Sequence, residues 1–171
     1  MTDYLIRPAV LSDLPELIRI FRAAKAYMDR TGNPTQWPAG YPTEEDLRGD
    51  IAVSKHYVIE HADTHVPFAA FVFITTPDPT YAVMKSGSWK DDSPYGTIHR
   101  VGSDGTVKGV FHMIADYAKS RCPHLRVDTH EDNKTMQHAI LSQGFEYRGV
   151  IVTDNGTDRL AYEFVAPTES V

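Results

Sequence analysis

The sequence predicts a single α/β domain, and three observations support that prediction. The chain has 171 residues, of which 42% are apolar, and this is enough to bury a substantial core. Its apolar residues follow strand and helix periods in the order strand, two helices, three strands, helix, strand, helix, strand, strand. There is no internal repeat, low-complexity run or linker, so one domain over residues 1–171 is expected.

The N-terminal half is expected to contain a strand and two helices. We expect a strand over residues 4–8 and a helix opened by Ser12, with Pro15 in its first turn, where a missing N–H does no harm. The apolar stripe of that helix is Leu14, Leu17, Ile18, Phe21 and Ala24. After a Pro- and Gly-rich connection, Thr43 is the predicted cap of a second helix that ends near Val53.

Two paired strands are expected next, at residues 57–60 and 68–75. The second is almost entirely apolar, which is typical of a central strand. Residues 76–94 have no clear period and end in a polar run. This segment is therefore predicted to be a mobile loop, with one short strand near residues 81–84 as an option.

The C-terminal half is expected to alternate strands with helices before a final hairpin. Apolar patterns and turn residues predict strands at 96–103, 125–129, 146–153 and 159–164, and helices over 106–121 and from 133 to 144. An Asp-Asn-Gly turn is expected to join the last two strands.

The strand at 96–103 has an irregular apolar pattern. Ile98 and Val101 are three residues apart, so a regular strand cannot place both side chains on one face. A β-bulge between His99 and Gly102 would reconcile the two positions.

A glycine-rich segment follows this strand directly. Ser103, Gly105 and Gly109 surround Lys108 at the predicted start of the next helix. Glycines let backbone amides approach an anion closely, and a helix N-terminus favours negative charge. The segment is therefore a candidate phosphate site, with a plain turn that caps a helix as the alternative.

A third informative stretch runs from Arg126 to Phe145. It predicts a strand, then Asn133 as the cap of a helix, and a stop at Gly144. The unpaired backbone N–H groups at such a helix start suit a ligand that carries polar amides.

Three segments of the chain together resemble the GCN5-related N-acetyltransferases, the GNAT family. They are IRPAVLSDL, TIHRVGSDGTVKGVF and RVDTHEDNKTMQHAILSQGF. The resemblance covers about residues 3–165 and implies one N-acetyltransferase domain. The implied GNAT fold is an α/β (α+β) arrangement with a central, mixed, mostly antiparallel twisted sheet. Its fourth and fifth strands would be parallel and splayed, and about four helices would flank the sheet.

The resemblance also implies acetyl-CoA as the cosubstrate, with its pantetheine arm in the gap between the splayed strands. The cofactor-binding residues implied in this way are Val101, Gly102, Ser103, Gly105, Lys108, Gly109 and Asn133. This chain departs from the family because its glycine-rich segment is shorter. Lys108 stands where an Arg is common, and Val110 and Phe111 stand where small residues are expected.

Acyl transfer to an amine needs a proton acceptor, a donor to the developing oxyanion, and a proton for the departing thiolate. His99 is the candidate base, because histidine titrates near neutral pH; a hydrogen-bonded structural role is the alternative. By resemblance, the Val101 backbone N–H would donate to the oxyanion.

The proton donor is open. Many family members have a Tyr seven residues after the Asn that starts the helix, and that position is Ile140 here. Tyr147 and His138 are candidate catalytic residues in its place, and Tyr162 and His130 are further substitutes. All four are also compatible with structural roles.

The expected function is direct transfer of an acetyl group from acetyl-CoA to a primary amine of a small molecule or peptide. One alternative is a catalytically weak or inactive module that binds CoA or another small ligand, and a second is a transferase of a bulkier acyl group. Trp37, Trp89 and Tyr95 are candidates to line an acceptor pocket or to anchor loops.

Charge and composition limit the partners. The net charge is −6 with a pI near 5.7, so neither nucleic acid nor a membrane is expected as a partner, and a homodimer is left open. The single Cys122 cannot form an intramolecular disulfide and no signal peptide is recognised, which favours the cytoplasm.

A metal cluster of Asp128, His130, Asp132 and His138 is the alternative use of the third stretch. No second histidine stands at ligand spacing on one helix, so no metal is expected.

Overall fold

The computed structural model describes residues 3–168, which divide into two compact units. Unit 1 comprises the chain up to Phe73 together with His99–Val110. Unit 2 comprises Ile74–Ile98 and the chain from Phe111 onward.

Strands and helices alternate largely as predicted. The described helices are α1 (Leu14–Arg30), α2 (Glu44–Ala52), α3 (Val110–Lys119) and α4 (Lys134–Ser142). The described strands are β1 (Tyr4–Pro8), β2 (His56–His61), β3 (Pro67–Ile74), β4 (Ser86–Gly87), β5 (Gly96–Ser103), β6 (His124–Thr129), β7 (Glu146–Val152) and β8 (Asp158–Val165).

The eight strands form one open sheet in the order β1-β2-β3-β5-β6-β8-β7-β4. β5 and β6 pair in parallel. Antiparallel pairing joins β1 with β2, β2 with β3, β6 with β8, β7 with β8, and β4 with β7. A mixed, mostly antiparallel sheet with four helices is the fold class that the sequence predicts.

In unit 1 the apolar stripe of α1 forms the core. Leu17 and Phe21 are buried in one cluster with Leu47 of α2, Val58 of β2 and Ala70 of β3. α2 begins at the predicted cap, because the Thr43 side chain accepts a hydrogen bond from Asp46 N and the Asp46 carboxylate accepts one from Thr43 N.

The start of α1 differs from the prediction. Ser12 lies inside a short 3₁₀ turn, Leu11–Asp13, and α1 begins at Leu14. The Asp13 carboxylate accepts hydrogen bonds from Val10 N at 2.8 Å and from the Arg7 guanidinium at 2.8 and 2.9 Å. This carboxylate, rather than the Ser12 hydroxyl, therefore stabilises the junction between β1 and α1.

In unit 2 the segment expected to be mobile is held by specific contacts. The optional strand at residues 81–84 is absent; a 3₁₀ turn covers Pro79–Tyr81 and the two-residue β4 follows it. Trp89 Nε1 donates to Tyr81 O at 2.9 Å, and Lys90 N donates to Glu163 Oε1 at 2.7 Å. Hydrophobicity patterns do not reveal such long-range contacts, so the sequence alone predicts a mobile loop here.

The start of α3 also differs from the prediction, which placed it at Thr106. α3 begins at Val110, because Gly105 and Gly109 have φ angles of 83° and 76°, outside the right-handed helical range. Residues 103–109 are therefore a loop, called the glycine loop below. Within residues 3–168, no helix is both long and apolar enough to cross a membrane.

Acid should weaken the junction between β1 and α1. The Arg7 guanidinium lowers the pKa of Asp13, so the stabilisation from this carboxylate is complete above its unfolded pKa of about 3.9. It is lost as pH falls below that value through the folded pKa. Asp13→Asn should cost about 1.5–3 kcal/mol at pH 7.

Denaturant unfolding from pH 2 to 7 measures this effect. The free energy of unfolding should fall less steeply below pH 4 in Asp13→Asn than in the wild type. The exposed Asp154, replaced by Asn, is the matched control. Equal acid slopes for the wild type and Asp13→Asn would contradict the assignment.

Candidate functional site

The predicted irregularity in β5 is present and centres on Arg100. The parallel ladder pairs Gly96, Thr97 and Ile98 of β5 with Leu125, Arg126 and Val127 of β6. Two residues after Ile98, Arg100 adopts a left-handed backbone with φ 51°. Few non-glycine residues occupy this region. His99, the candidate base, is half-buried immediately before it, and Val101 follows it.

The glycine loop is shaped by its own polar side chains. Ser103 Oγ accepts a hydrogen bond from Gly105 N at 3.1 Å, and Asp104 Oδ1 accepts from Thr106 N at 3.0 Å. A side chain added at Gly105 or Gly109 would meet no atom within 4 Å, so both backbones face open space. Lys108 is exposed in this loop rather than at a helix start.

Asp104 introduces a negative charge into the loop, which the sequence analysis did not consider. Arg19 of α1 forms an ion pair with the Asp104 carboxylate at 2.9 Å. Burial raises the pKa of Asp104, but hydrogen bonds from Thr106 and the Arg19 ion pair outweigh burial, and the net pKa lies below its ordinary value. The carboxylate is thus ionised and neutralised by Arg19, so it opposes anion binding less than an unpaired one would.

Gly102 of β5 packs closely against α1. A Cβ at this position would lie 2.7 Å from Phe21 Cε1 and 2.8 Å from Phe21 Cδ1. These distances are shorter than any ordinary contact, so the Phe21 ring packs directly on the strand backbone. The close approach of the Phe21 ring to the backbone of β5 therefore requires glycine at position 102.

Arg100, Asp50 and Tyr41 form a polar cluster that was not predicted from the sequence. The guanidinium pairs with the Asp50 carboxylate of α2 through Nη1 and donates from Nη2 to the Tyr41 hydroxyl at 3.0 Å. No local sequence signal joins the three residues, because each lies in a different segment of the chain.

In unit 2, the end of β6 leads into α4 through side-chain caps. Asp128 Oδ2 accepts a hydrogen bond from the Tyr81 hydroxyl at 2.6 Å, and His130 Nδ1 accepts one from Asp132 N at 3.0 Å. Asn133 caps α4 as predicted, with Oδ1 accepting from Met136 N at 3.0 Å. Within residues 3–168, no group of three or more metal-ligating side chains is gathered.

The candidate proton donors differ in exposure. His138 and Tyr147 are exposed, and Tyr147 is 52% accessible to solvent. The edge of the Tyr147 ring faces Tyr162, which is 3% accessible. Burial, followed by the charge of Tyr147, raises the pKa of Tyr162, which keeps this phenol protonated. Tyr162 is thus buried and in contact with the exposed Tyr147.

The three aromatic candidates for an acceptor pocket act as anchors in the described contacts. The Trp89 and Tyr95 rings lie on the Arg126 guanidinium, at 4.1 and 4.0 Å from its carbon. Trp37 is buried in the core of unit 1, with its ring 5.9 Å from Phe21. The anchor alternative therefore describes all three.

The candidate site residues fall into two groups. One continuous segment of unit 1 carries His99, Val101, Gly102, Ser103, Gly105, Lys108 and Gly109. Unit 2 carries Asn133, His138 and Tyr147.

Comparison with solved structures gives the class of protein. A GNAT-family acetyltransferase from Streptococcus agalactiae 2603 is 26% identical over 96% of each chain, with a TM-score of 0.85. The ribosomal-protein-S18-alanine N-acetyltransferase from Escherichia coli is 12% identical over 98% of this chain and 97% of its own, with a TM-score of 0.62.

The aminoglycoside N(6′)-acetyltransferase from Legionella pneumophila is 13% identical over 96% of this chain and 93% of its own, with a TM-score of 0.64. No protein-family model and no curated protein matches the chain. The fold is that of the acetyltransferases, which supports a general N-acetyltransferase activity. Within that class, the chain is similar in fold to acetyltransferases of the GNAT family.

The contact between Gly102 and Phe21 can be tested directly. Gly102→Ala overpacks a buried ring and should cost about 1–3 kcal/mol of unfolding free energy. Phe21→Leu in the same chain should recover part of that loss, so the two changes should not be additive. Chemical denaturation of both single variants and the double variant measures the coupling.

Gly49→Ala is the matched control, because a Cβ at Gly49 of α2 meets nothing within 4 Å. That change should be neutral or stabilising, since alanine favours a helix by about 0.5–1 kcal/mol over glycine. Additive effects of Gly102→Ala and Phe21→Leu would refute the direct contact.

Proposed function

We propose that this protein is one N-acetyltransferase domain that transfers an acetyl group from acetyl-CoA to a primary amine by direct attack. The observation that carries the proposal is the succession of His99, the left-handed Arg100 and an open glycine loop along one segment, in a chain with the fold of GNAT-family acetyltransferases. Two of the similar solved structures are named for the acetylation of amines, an alanine and an aminoglycoside.

Acetyl-CoA would supply the activated acetyl group as a thioester, and several features of the glycine loop suit its phosphates. Gly105 and Gly109 expose their backbones to open space, and Lys108 carries an exposed positive charge. Val101, Gly102, Ser103 and Asn133 complete the proposed cofactor-binding residues. Because the Asn133 side chain already caps α4, its contribution would come through the backbone at the helix start.

The residues on either side of Arg100 are assigned the chemical roles. His99 accepts the proton of the attacking amine, and the Val101 N–H donates to the oxygen on which negative charge develops. Tyr147 and His138 are the proposed proton donors. Their exposure allows protons from solvent to reload them.

The proposal predicts that acetyl-CoA stabilises the protein and that Lys108 contributes to binding. A ligand at 100 times its Kd should add about 2.7 kcal/mol of stability, visible as a higher Tm. Lys108→Ala should weaken binding by about 1–3 kcal/mol, and Lys85→Ala, exposed in unit 2, is the control.

Thermal shift and calorimetry with acetyl-CoA measure both effects, and a free-thiol assay over a panel of amines measures transfer. Binding without transfer to any amine would favour the alternative of an inactive CoA-binding module. A stronger shift with longer acyl-CoAs would favour a transferase of a bulkier group. No shift at millimolar acetyl-CoA would remove the proposed function.

His99 as the base predicts a defined pH profile. Since a base must be neutral to accept a proton, the rate at saturating acetyl-CoA should fall as pH drops through the range in which histidine is protonated. His99→Gln should lower the rate about 10²- to 10⁴-fold and remove this acidic limb.

His112→Gln, an exposed change on α3, is the control for general effects of losing a histidine. Circular dichroism should confirm that His99→Gln is folded. An acidic limb that persists at near-normal rate in the folded variant would assign the proton to water or to another group.

A further inference from the structure

The backbone of Arg100 is the unusual feature of β5. Its φ of 51° is unfavourable for a residue with a long side chain. Such conformations persist where the surrounding structure holds them, and they cluster at functional sites. The question is therefore what holds this residue and what the held conformation does.

The Arg100 side chain is held at both ends of its guanidinium. Nη1 pairs with Asp50 Oδ2, while Nη2 and Nε donate to the Tyr41 hydroxyl at 3.0 and 3.3 Å. The guanidinium carbon also lies 5.2 Å from the centre of the Tyr41 ring. Only 15% of the side chain is accessible, so these partly buried, charge-assisted contacts are stronger than surface pairs.

The two partners of Arg100 are themselves fixed in the core of unit 1. Asp50 lies 3.7 Å from Nδ1 of the fully buried His56, whose ring meets the edge of Phe21 at 5.6 Å. The Tyr41 ring packs against Trp37 at 5.8 Å. Through these rings the cluster reaches Phe21, and Phe21 also packs on Gly102 of β5.

The charge of Asp50 persists in this setting. Burial raises the pKa of Asp50, but the nearby His56 ring and the positive charges of Arg100 and Lys55 outweigh burial and lower its pKa overall. Burial also lowers the pKa of His56, so this ring is predominantly neutral at neutral pH and leaves the carboxylate to Arg100.

A left-handed residue inside a strand changes the direction of its neighbours. The alternation of side chains is interrupted there, and the next N–H leaves the regular ladder direction. At this position the two neighbours are His99 and Val101. Their directions are therefore set by the conformation that the Arg100 side chain holds.

We infer that Arg100 is a positioning residue: held by Asp50 and Tyr41, it fixes the left-handed backbone that orients His99 and the Val101 N–H for acetyl transfer. The inference rests on the proposed function for its chemical meaning. Its structural part, that the anchor controls the backbone at Val101, can be measured without any substrate.

Three variants separate the anchor from the backbone. Arg100→Ala removes the anchor but keeps a Cβ that disfavours φ 51°, whereas Arg100→Gly removes the anchor and the strain together. Asp50→Asn keeps the shape of the partner and removes its charge. Arg22→Ala, an exposed change on α1, is the matched control.

The kinetic expectation is a split between kcat and acetyl-CoA affinity. Arg100→Ala should lower kcat about 10²-fold, the scale of a small misplacement of reacting groups, while the Kd for acetyl-CoA stays within about threefold. Arg100→Gly should retain more of kcat than Arg100→Ala, because glycine reaches a φ of 51° without strain.

The backbone expectation uses amide hydrogen exchange of the protein alone. Exchange at Val101 should be about tenfold faster in Arg100→Ala than in the wild type, with exchange at Ile6 of β1 unchanged. Unchanged Val101 exchange would overturn the inference, even in a protein that proved inactive with every amine.

Two kinetic results would also overturn it. One is an unchanged kcat in folded Arg100→Ala. The other is a parallel loss of kcat, acetyl-CoA affinity and Tm that is equal in Arg100→Ala and Arg100→Gly, which would assign Arg100 to general stability. If the wild type neither binds acetyl-CoA nor transfers acetyl groups, the proposed function fails and the exchange result alone decides the structural part.

Discussion

The left-handed backbone of Arg100 is the constraint on which the candidate site depends. β5 contributes its first three residues to unit 2, where they pair with β6, and its remaining residues to unit 1. Arg100 interrupts regular strand geometry just after that parallel pairing ends. The glycine loop begins three residues later at Ser103, so the break lies between the parallel pairing and this loop.

Buried charge in the protein is paired rather than excluded. In unit 1, ion pairs join sequence-distant elements or fix a junction. Examples are Arg7 with Asp13, Arg19 with Asp104, and Arg100 with Asp50. In unit 2, Glu163 accepts from His124 Nε2 at 2.7 Å and from Lys90 N, and it lies 3.7 Å from Arg126 Nε. Partly buried ions are tolerated when several donors satisfy them, so these pairs specify geometry more than they add stability.

The sequence predicted well where the signal is local. Thr43 and Asn133 cap α2 and α4 as expected, since a cap needs only a side chain and the next turn of backbone. The helix start at Thr106 was wrong for a related reason. Val107 fits the apolar stripe of α3, but the positive φ angles of Gly105 and Gly109 override periodicity, and periodicity alone cannot show them.

The sequence by itself determined the order of helices and strands and the fold class. It also determined the irregularity between His99 and Gly102 and the glycine-rich segment. Each of these features depends on residues that are near one another in the chain. Only the tertiary structure decided that Arg100 is the left-handed residue and that Asp50 and Tyr41 hold it. It also decided that Trp89 and Tyr95 enclose Arg126. These contacts join residues far apart in sequence, and ion pairs and ring contacts carry no periodicity. Their partners are therefore set by folding rather than by any local pattern.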